Sequence, residues 1–246
     1  MKIGFGKIYP CCVKKIPPCF FQLSMITFAE MNVTEIKQQI GLYQAEGRKL
    51  FATSSFQTHS IPMLHILSTI DKSIPVLFIN TGFHFPETLK FRDQIKNLLG
   101  INIIDARSLV SRNLQTNESG NFYFTSDPDY CCFLNKTQPV EPFLAEYDVW
   151  INGIRADQNA NRKNMKAEQD APFGSKRFHP MLDWNNKMIY DYIREHQLPK
   201  HPLENKGYLS IGCEPCTRKM SLENDRSGRW FGLNKTECGL HTDLVK

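Results

Sequence analysis

The stretch that decides the fold runs from Lys49 to Asn80, KLFATSSFQTHSIPMLHILSTIDKSIPVLFIN. It opens with KLFATSS, which reads as a short buried strand. A turn rich in Ser and Thr follows. Ile61, Leu64, His65 and Ser68 then recur at helical spacing, with Pro62 in the first turn, where a helix tolerates proline. His65 on this face reads as a packed histidine rather than a ligand. The stretch closes on IPVLFIN, a continuous apolar run of the kind expected for a strand covered on both faces.

The same alternation extends in both directions. Upstream, TEIKQQIGLYQAEG reads as a helix capped by Thr34 and stopped near Gly47. Downstream, PETLKFRDQIKNLLG reads as a helix opened by Pro86 and closed by Gly100. INIIDA and DVWINGIR read as further strands, and DWNNKMIYDYIREH as a further amphipathic helix. Strand, helix, strand in succession is the α/β signature, with a mainly parallel sheet and helices on both faces. Residues 34–205 are expected to form this domain. Past residue 205 the helical periodicity weakens while Gly, Lys, Arg and Cys accumulate, so 206–246 reads as a site-bearing C-terminal segment. Residues 1–33 read as a poorly ordered extension. Lysines and prolines interrupt their apolar patch and no clean small-x-small cleavage site follows, which argues against a secretory signal. Met25 or Met31 is an alternative start.

The composition suits an ordinary soluble globular chain. Of 246 residues, 41% are apolar and 22% charged, and no run of eighteen apolar residues predicts a membrane span. The net charge of +5 suits an anionic ligand but is too small to imply nucleic acid.

In an α/β sheet, ligands sit beyond the carboxyl ends of the strands. That rule points at ATSSFQTHS, NTGFHFPET and NGIRADQNANR. In the first, Ser54, Ser55, Thr58 and Ser60 lie between a strand and a helix start, where hydroxyls and free N–H groups make an anion cradle. It is no Walker A loop, since no Gly-Lys-Ser/Thr follows. The plainer reading is a Ser-rich turn with a helix cap. In the third, Arg155 and Arg162 bring two guanidinium forks suited to phosphate or sulfate, unless both are simply solvated.

Three of the eight cysteines, Cys11, Cys12 and Cys19, lie in the extension and need no role. The other five are an odd number, which argues against a pure disulfide framework. Four plus one fits better: a four-thiolate metal site and one free thiol, in a reducing compartment such as the cytoplasm. Cys213 and Cys216, in SIGCEPCTRK, form a metal knuckle or a redox dithiol. Their partners would be the adjacent Cys131 and Cys132, in SDPDYCCFLNK. Spacing alone does not choose between zinc and a [4Fe–4S] cluster. The fifth, Cys238, lies in NKTECGLHTDLVK. Positive charge from Lys235 and His241 would lower its pKa from about 8.5 and make it a candidate nucleophile. The alternative is an idle terminal cysteine.

Taken in order, these motifs, together with RFHPMLDW, GRW and KTECGLH, resemble the assimilatory adenylyl-sulfate (APS) reductases of the thioredoxin-dependent type, over roughly residues 48 to 242. The resemblance implies a Rossmann-like adenine-nucleotide-binding fold. It implies one [4Fe–4S] cluster held by Cys131, Cys132, Cys213 and Cys216. Helical neighbours diverge by about 100°, so the backbone at the cysteine pair should be bent or at a helix end. In such an enzyme the Cys238 thiolate attacks the sulfur of adenylyl sulfate, expels AMP and carries an S-sulfonate. A separate thioredoxin or glutaredoxin dithiol then releases sulfite, and the cluster tunes the local field rather than carrying the electrons. The negative reactants call for a positive pocket, expected from Lys136, Arg155, Arg162, Arg229 and His241. Lys136 should lie near both cluster and substrate. Ser54, Ser55 and Thr58 are expected at the phosphosulfate end, with Thr81 and Gly82 near the nucleotide. One departure is Gln57, where many relatives have a glycine; glycine would permit positive φ and close approach to a phosphate.

The nearest rival is a reductase of 3′-phosphoadenylyl sulfate (PAPS), which typically lacks the four cluster cysteines, or a dual-substrate enzyme. An RNA-thiolating enzyme on the same fold would want a Ser-Gly-Gly-x-Asp-Ser loop, absent here. A zinc-stabilised nucleic-acid-binding module would want a clustered basic surface with stacking aromatics. Neither a membrane nor a nucleic-acid partner is expected, and association into a homo-oligomer is left open.

Overall fold

The computed structural model describes residues 32–219, 228–230, 232, 235, 237 and 239–244. Nearly all of the expected extension, with Cys11, Cys12 and Cys19, lies outside the described residues, and so does Cys238.

Eight α-helices and six strands, besides short 3-10 and π turns, make up the described chain. The helices are α1 (Val33–Ala45), α2 (Ile61–Ile70), α3 (Pro86–Leu99), α4 (Tyr123–Ser126), α5 (Pro128–Cys132), α6 (Glu141–Glu146), α7 (Ala160–Lys163) and α8 (Asn186–Glu195). The strands are β1 (Leu50–Thr53), β2 (Val76–Ile79), β3 (Ile103–Ala106), β4 (Val149–Asn152), β5 (Glu168–Asp170) and β6 (Lys176–Phe178). They form one sheet in the order β3-β2-β1-β4-β6-β5, parallel except where β5 meets β6. From β1 the chain adds strands on one side, then returns to add β4 on the other. The order therefore reverses between β1 and β4, where Thr53 stands opposite Asn152. Such a reversal leaves a crevice for ligand at the carboxyl ends.

Both faces of the sheet are covered, as the apolar runs predict. Alternate residues go to opposite cores. Leu50, Ala52, Val76, Phe78, Val149 and Ile151 pack with α1, α2, α3 and α8. Phe51, Leu77 and Trp150 pack on the other face with Leu144 of α6 and with Leu240 and Leu244 near the C-terminus. Each such side chain contributes about 1.5–3 kcal/mol on burial.

Local details differ from expectation in two places. The cap of α1 is Asn32, not Thr34: the Asn32 side chain accepts from Thr34 N and Glu35 N, and Glu35 Oε2 accepts from Asn32 N at 2.8 Å. This reciprocal box satisfies donors that a Thr34 cap would leave open. The edge strand β5 and its neighbour β6 carry no apolar alternation, yet β6 is paired on both sides and its Arg177 is fully buried, the guanidinium 4.5 Å from the Trp150 ring. Two local readings hold: Gly100 closes α3 at φ 64°, and His65 is a packed histidine 2.9 Å from Tyr192 Oη. Among the described residues, no helix is long and apolar enough to cross a membrane.

Candidate active site

A cavity of about 830 Å³ opens beyond the carboxyl ends of β1, β2 and β4. The turn after β1 forms one wall. Phe56, fully buried, adopts φ 53°, a strained value for a bulky residue. The strain turns the chain so that Ser54 Oγ accepts from Phe56 N at 3.1 Å and meets Ser60 Oγ at 3.1 Å. Ser54, Ser55 and Ser60 all line the cavity. Thr58 does not line it: the Thr58 hydroxyl is buried and accepts from His201 N at 3.0 Å. Gln57 has an ordinary φ of −77°, so no glycine is needed there. Its Oε1 accepts from Ile211 N at 2.9 Å and ties this turn to the C-terminal segment.

After β2, Thr81 is buried and lines the cavity, with its Oγ1 3.3 Å from Cys213 Sγ. Gly82 is not in the lining. Its φ of 75° serves the turn, where its N–H donates to Asn80 Oδ1 at 3.2 Å. His84, for which no role was expected, does line the cavity. Burial, helped by the Lys136 charge, holds its pKa down at about 4, against a bond to the Ile79 carbonyl. NTGFHFPET offers no local signal for this, because the ring reaches the cavity through the turn's geometry.

After β4, Arg155 is 1% exposed. Its Nε donates to Asp157 at 3.0 Å and its Nη2 to Asn186 at 2.5 Å, while Nη1 has no partner. Arg162 is buried and committed: Nε donates to Glu237 Oε2 at 2.6 Å, Nη2 to Oε1 at 3.1 Å, and Nη1 to Gln158. The expected anion ligand is thus bonded to a carboxylate from the tail. His241 also departs from expectation. Its Nδ1 accepts from Arg177 Nη2 at 2.8 Å, which a neutral imidazole can do and a cation cannot. Burial first, then Arg162 and Arg177, hold its pKa well below the ordinary value. It is not a source of positive charge; Arg177 behind it is. Lys235, which also lines the cavity, is ion-paired with Asp129.

Arg229 reaches the same cavity from the C-terminal segment, stacked 4.5 Å from the Trp230 ring, with Nη1 donating to Ile211 O at 3.3 Å. It lies flat on Gly212, where a Cβ would stand 2.4 Å from Nη2. The two carboxylates in the lining, Asp157 and Glu237, are each bonded to an arginine. With Lys136, Arg155 and Arg229 around it, the cavity is electropositive.

The cysteines meet in a neighbouring cleft. Asp127 caps α5 by accepting from Tyr130 N at 2.9 Å, and α5 ends at Cys132. One wide π turn, Phe133–Thr137, follows. The expected helix end at the cysteine pair is therefore present, and the change of winding re-aims one thiol relative to its neighbour. Cys213 and Cys216 lie on a 3-10 turn, anchored by Glu214 N donating to Phe83 O at 2.7 Å. All four thiols are free and line one small cleft with Lys136 and Trp230. Burial and then the other three cysteines push the Cys131 thiol up to about 12, with Lys136 opposing. Burial and Cys213 likewise raise Cys216. A bound cation would relieve this burden on Cys131 and Cys216, because a metal holds its ligands as thiolates. Among the described residues, no three His, Cys, Asp or Glu side chains close on a single ion. Behind Cys131, Asn135 Nδ2 donates to the Cys131 carbonyl at 2.9 Å and to Gln115 Oε1 at 2.6 Å. This buried amide pair, which the sequence did not reveal, fixes the cysteine backbone.

Thr81, Lys136, Cys213 and Trp230 belong to both the cavity and the cleft. Residues 49–219 match the phosphoadenosine phosphosulfate reductase domain. A protein from Rhodococcus erythropolis (strain PR4), named adenosine 5′-phosphosulfate reductase, is 39% identical over 181 residues, 73% of each chain. One of the same name from Halalkalibacterium halodurans is 34% identical over 227 residues, 86% of this chain and 97% of that one. The fold is similar to the crystal structure of phosphoadenylyl-sulfate reductase from Candida auris, with a TM-score of 0.58 at 20% identity, covering 77% of this chain and 97% of the other. The chain belongs to the phosphoadenosine phosphosulfate reductase family.

Proposed function

We propose that this chain reduces adenylyl sulfate to sulfite and AMP through an S-sulfonate on Cys238, and that a separate thioredoxin or glutaredoxin supplies the electrons. The observation that carries this reading is the shared wall. An electropositive, nucleotide-sized cavity at the strand reversal abuts a four-cysteine cleft through Thr81, Lys136 and Cys213.

The reaction asks three things of the protein. It must hold an anionic nucleotide, bring a thiolate to its sulfur, and stabilise the charge that moves. Ser54, Ser55 and Ser60 offer hydroxyls at the phosphosulfate end, while Lys136, Arg155 and Arg229 offset the sulfate, phosphate and incoming thiolate charges. The Cys238 thiolate attacks sulfur and forms an S–S bond as the bond from sulfur to the bridging phosphate oxygen breaks, and AMP leaves with that electron pair. A thiolate of the reductant then attacks Cys238 Sγ. Sulfite leaves with the S–S electron pair, and the reductant's second thiol resolves the mixed disulfide. The dithiol is oxidised by two electrons and the sulfur is reduced by two.

Cys131, Cys132, Cys213 and Cys216 would hold a [4Fe–4S] cluster. Four free thiols around one cleft are the donor set that such a cluster takes. When bound, the cluster supplies a fixed charge centre beside Thr81 and Lys136 and ties α5 to the Cys213–Cys216 turn. So many reduced thiols suit the cytoplasm.

The test is sulfite release by anaerobically purified protein given APS or PAPS with reduced thioredoxin. Sulfite from APS, at a rate well above that from PAPS, is expected. No sulfite from either nucleotide contradicts the reading, and preference for PAPS would move the substrate assignment to the 3′-phosphorylated nucleotide.

A further inference from the structure

Asn152 ends β4 at the strand reversal, directly opposite Thr53 in register. Its side chain lines the cavity and the residue is only 2% exposed, yet neither Oδ1 nor Nδ2 has a hydrogen-bond partner. Burying an amide with both ends unmet is costly, and native proteins rarely do so without reason. Across the strands, Thr53 Oγ1 is engaged by Trp150 Nε1 at 2.8 Å, and no bond joins it to Asn152.

We propose that Asn152 is a specificity-determining residue whose side-chain amide bonds the nucleoside part of the substrate. The inference rests on the adenylyl-sulfate reading above. An amide presents an acceptor and a donor side by side. A sulfate or phosphate oxygen would satisfy Nδ2 and leave Oδ1 facing negative charge, and the cationic side chains Lys136, Arg155 and Arg229 already serve the anion. A neutral group offering both a donor and an acceptor satisfies the whole amide. The adenine edge does this, with an amino group beside a ring nitrogen, as in the asparagine–adenine pairing of nucleic-acid recognition. The ribose diol does it too. Exchanging the assigned O and N of the amide changes nothing here, because both are unpartnered.

The experiment is calorimetric titration of cluster-bearing, full-length protein with AMP, IMP and 2′,3′-dideoxy-AMP, for wild type, Asn152→Ala and Asn152→Asp. Thermal unfolding of each variant checks the fold, and Asn152→Asp keeps the size if Asn152→Ala packs poorly. The proposal expects AMP to bind Asn152→Ala at least about tenfold more weakly than wild type. It also expects one analogue, IMP for the base or the dideoxy nucleotide for the ribose, to bind both proteins equally weakly. Unchanged AMP affinity in a folded variant overturns it, as does an equal loss for all three ligands. If wild type itself binds no AMP, the nucleotide reading fails and the proposal falls with it, an outcome distinct from failure of Asn152 alone.

Discussion

Arg162 grips Glu237 with two prongs, Nε to Oε2 at 2.6 Å and Nη2 to Oε1 at 3.1 Å, and both side chains are buried. Asn159 Nδ2 adds a third bond to Glu237 at 2.7 Å. Glu237 precedes Cys238 in sequence. On the other side of Cys238, Gly239 packs so tightly that a Cβ would stand 2.3 Å from Asp243 Oδ2 and 2.7 Å from Thr137 Oγ1. The two residues that flank Cys238 in sequence are thus both closely held.

Removing one partner of a buried ion pair leaves the other uncompensated, at a cost of about 3–5 kcal/mol. Glu237→Ala should therefore loosen the tail more than the sheet. Hydrogen exchange is expected to speed up by at least about tenfold in 239–244 while β1 and β4 stay protected, and sulfite formation should fall by a similar factor. Unchanged exchange in the tail would show that the pair does not hold it.

Gly212→Ala should move one side chain without unfolding the protein. The added Cβ would meet Nη2, Cζ and Nη1 of Arg229 at 2.4, 2.5 and 2.9 Å, and a flexible guanidinium can yield. Losing a charge-assisted contact of about 1.5–3 kcal/mol predicts a KM for adenylyl sulfate about 10- to 100-fold higher, with circular dichroism unchanged. A wild-type KM would remove Arg229 from the substrate's surroundings.

Acid should destabilise the fold earlier than carboxylate protonation alone would. His201 is neutral by construction: Nδ1 accepts from Leu203 N at 3.2 Å, leaving Nε2 to donate to Thr88 Oγ1 at 3.0 Å. Burial holds its pKa at about 4 and that of His179 at about 3. The unfolded chain takes up these protons from about pH 6.5 downward, while the native state does not until about 4 and 3. Stability from these histidines is complete above about pH 6.5 and is lost as pH falls toward 4 and below. Urea unfolding between pH 7 and 4 should show this decline, and His201→Gln should flatten it by about one proton.

The four cysteines should act as a unit. Anaerobic protein is expected to carry about four iron and four sulfide per chain, and replacing any one of Cys131, Cys132, Cys213 or Cys216 with Ser should abolish both. Stoichiometric zinc without sulfide would contradict the cluster and favour a mononuclear site.

What could be read from the sequence follows physical locality. β1, β2 and β4 were legible because burial on both faces leaves apolar runs, and edge strand β3 because Ile103 and Ile104 still mark it; the helix end at Cys131–Cys132 followed from the resemblance, which asks both thiols to serve one cluster, joined to the divergence of helical neighbours. β5 and β6 were not, because each is three residues long and mostly charged, and nothing in Lys176–Phe178 announces that Arg177 lies over Trp150. The site residues were legible as types but not as bonds. Arg162 and Glu237 are 75 positions apart, and Arg177 and His241 are 64 apart, so pairings that occupy one and neutralise the other leave no local trace. Asn152 was hidden for the opposite reason: its significance is a lack of partners inside a buried wall.

The most direct test of the central claim is intact-protein mass spectrometry after anaerobic incubation with adenylyl sulfate and no thiol reductant, alongside Cys238→Ser. The account predicts a gain of one sulfonate on the wild type, none on the variant, and loss of the adduct as sulfite when reduced thioredoxin is added. A cluster-loaded wild type that gains no adduct from adenylyl sulfate or its 3′-phosphorylated form, or an adduct that persists in Cys238→Ser, would contradict it.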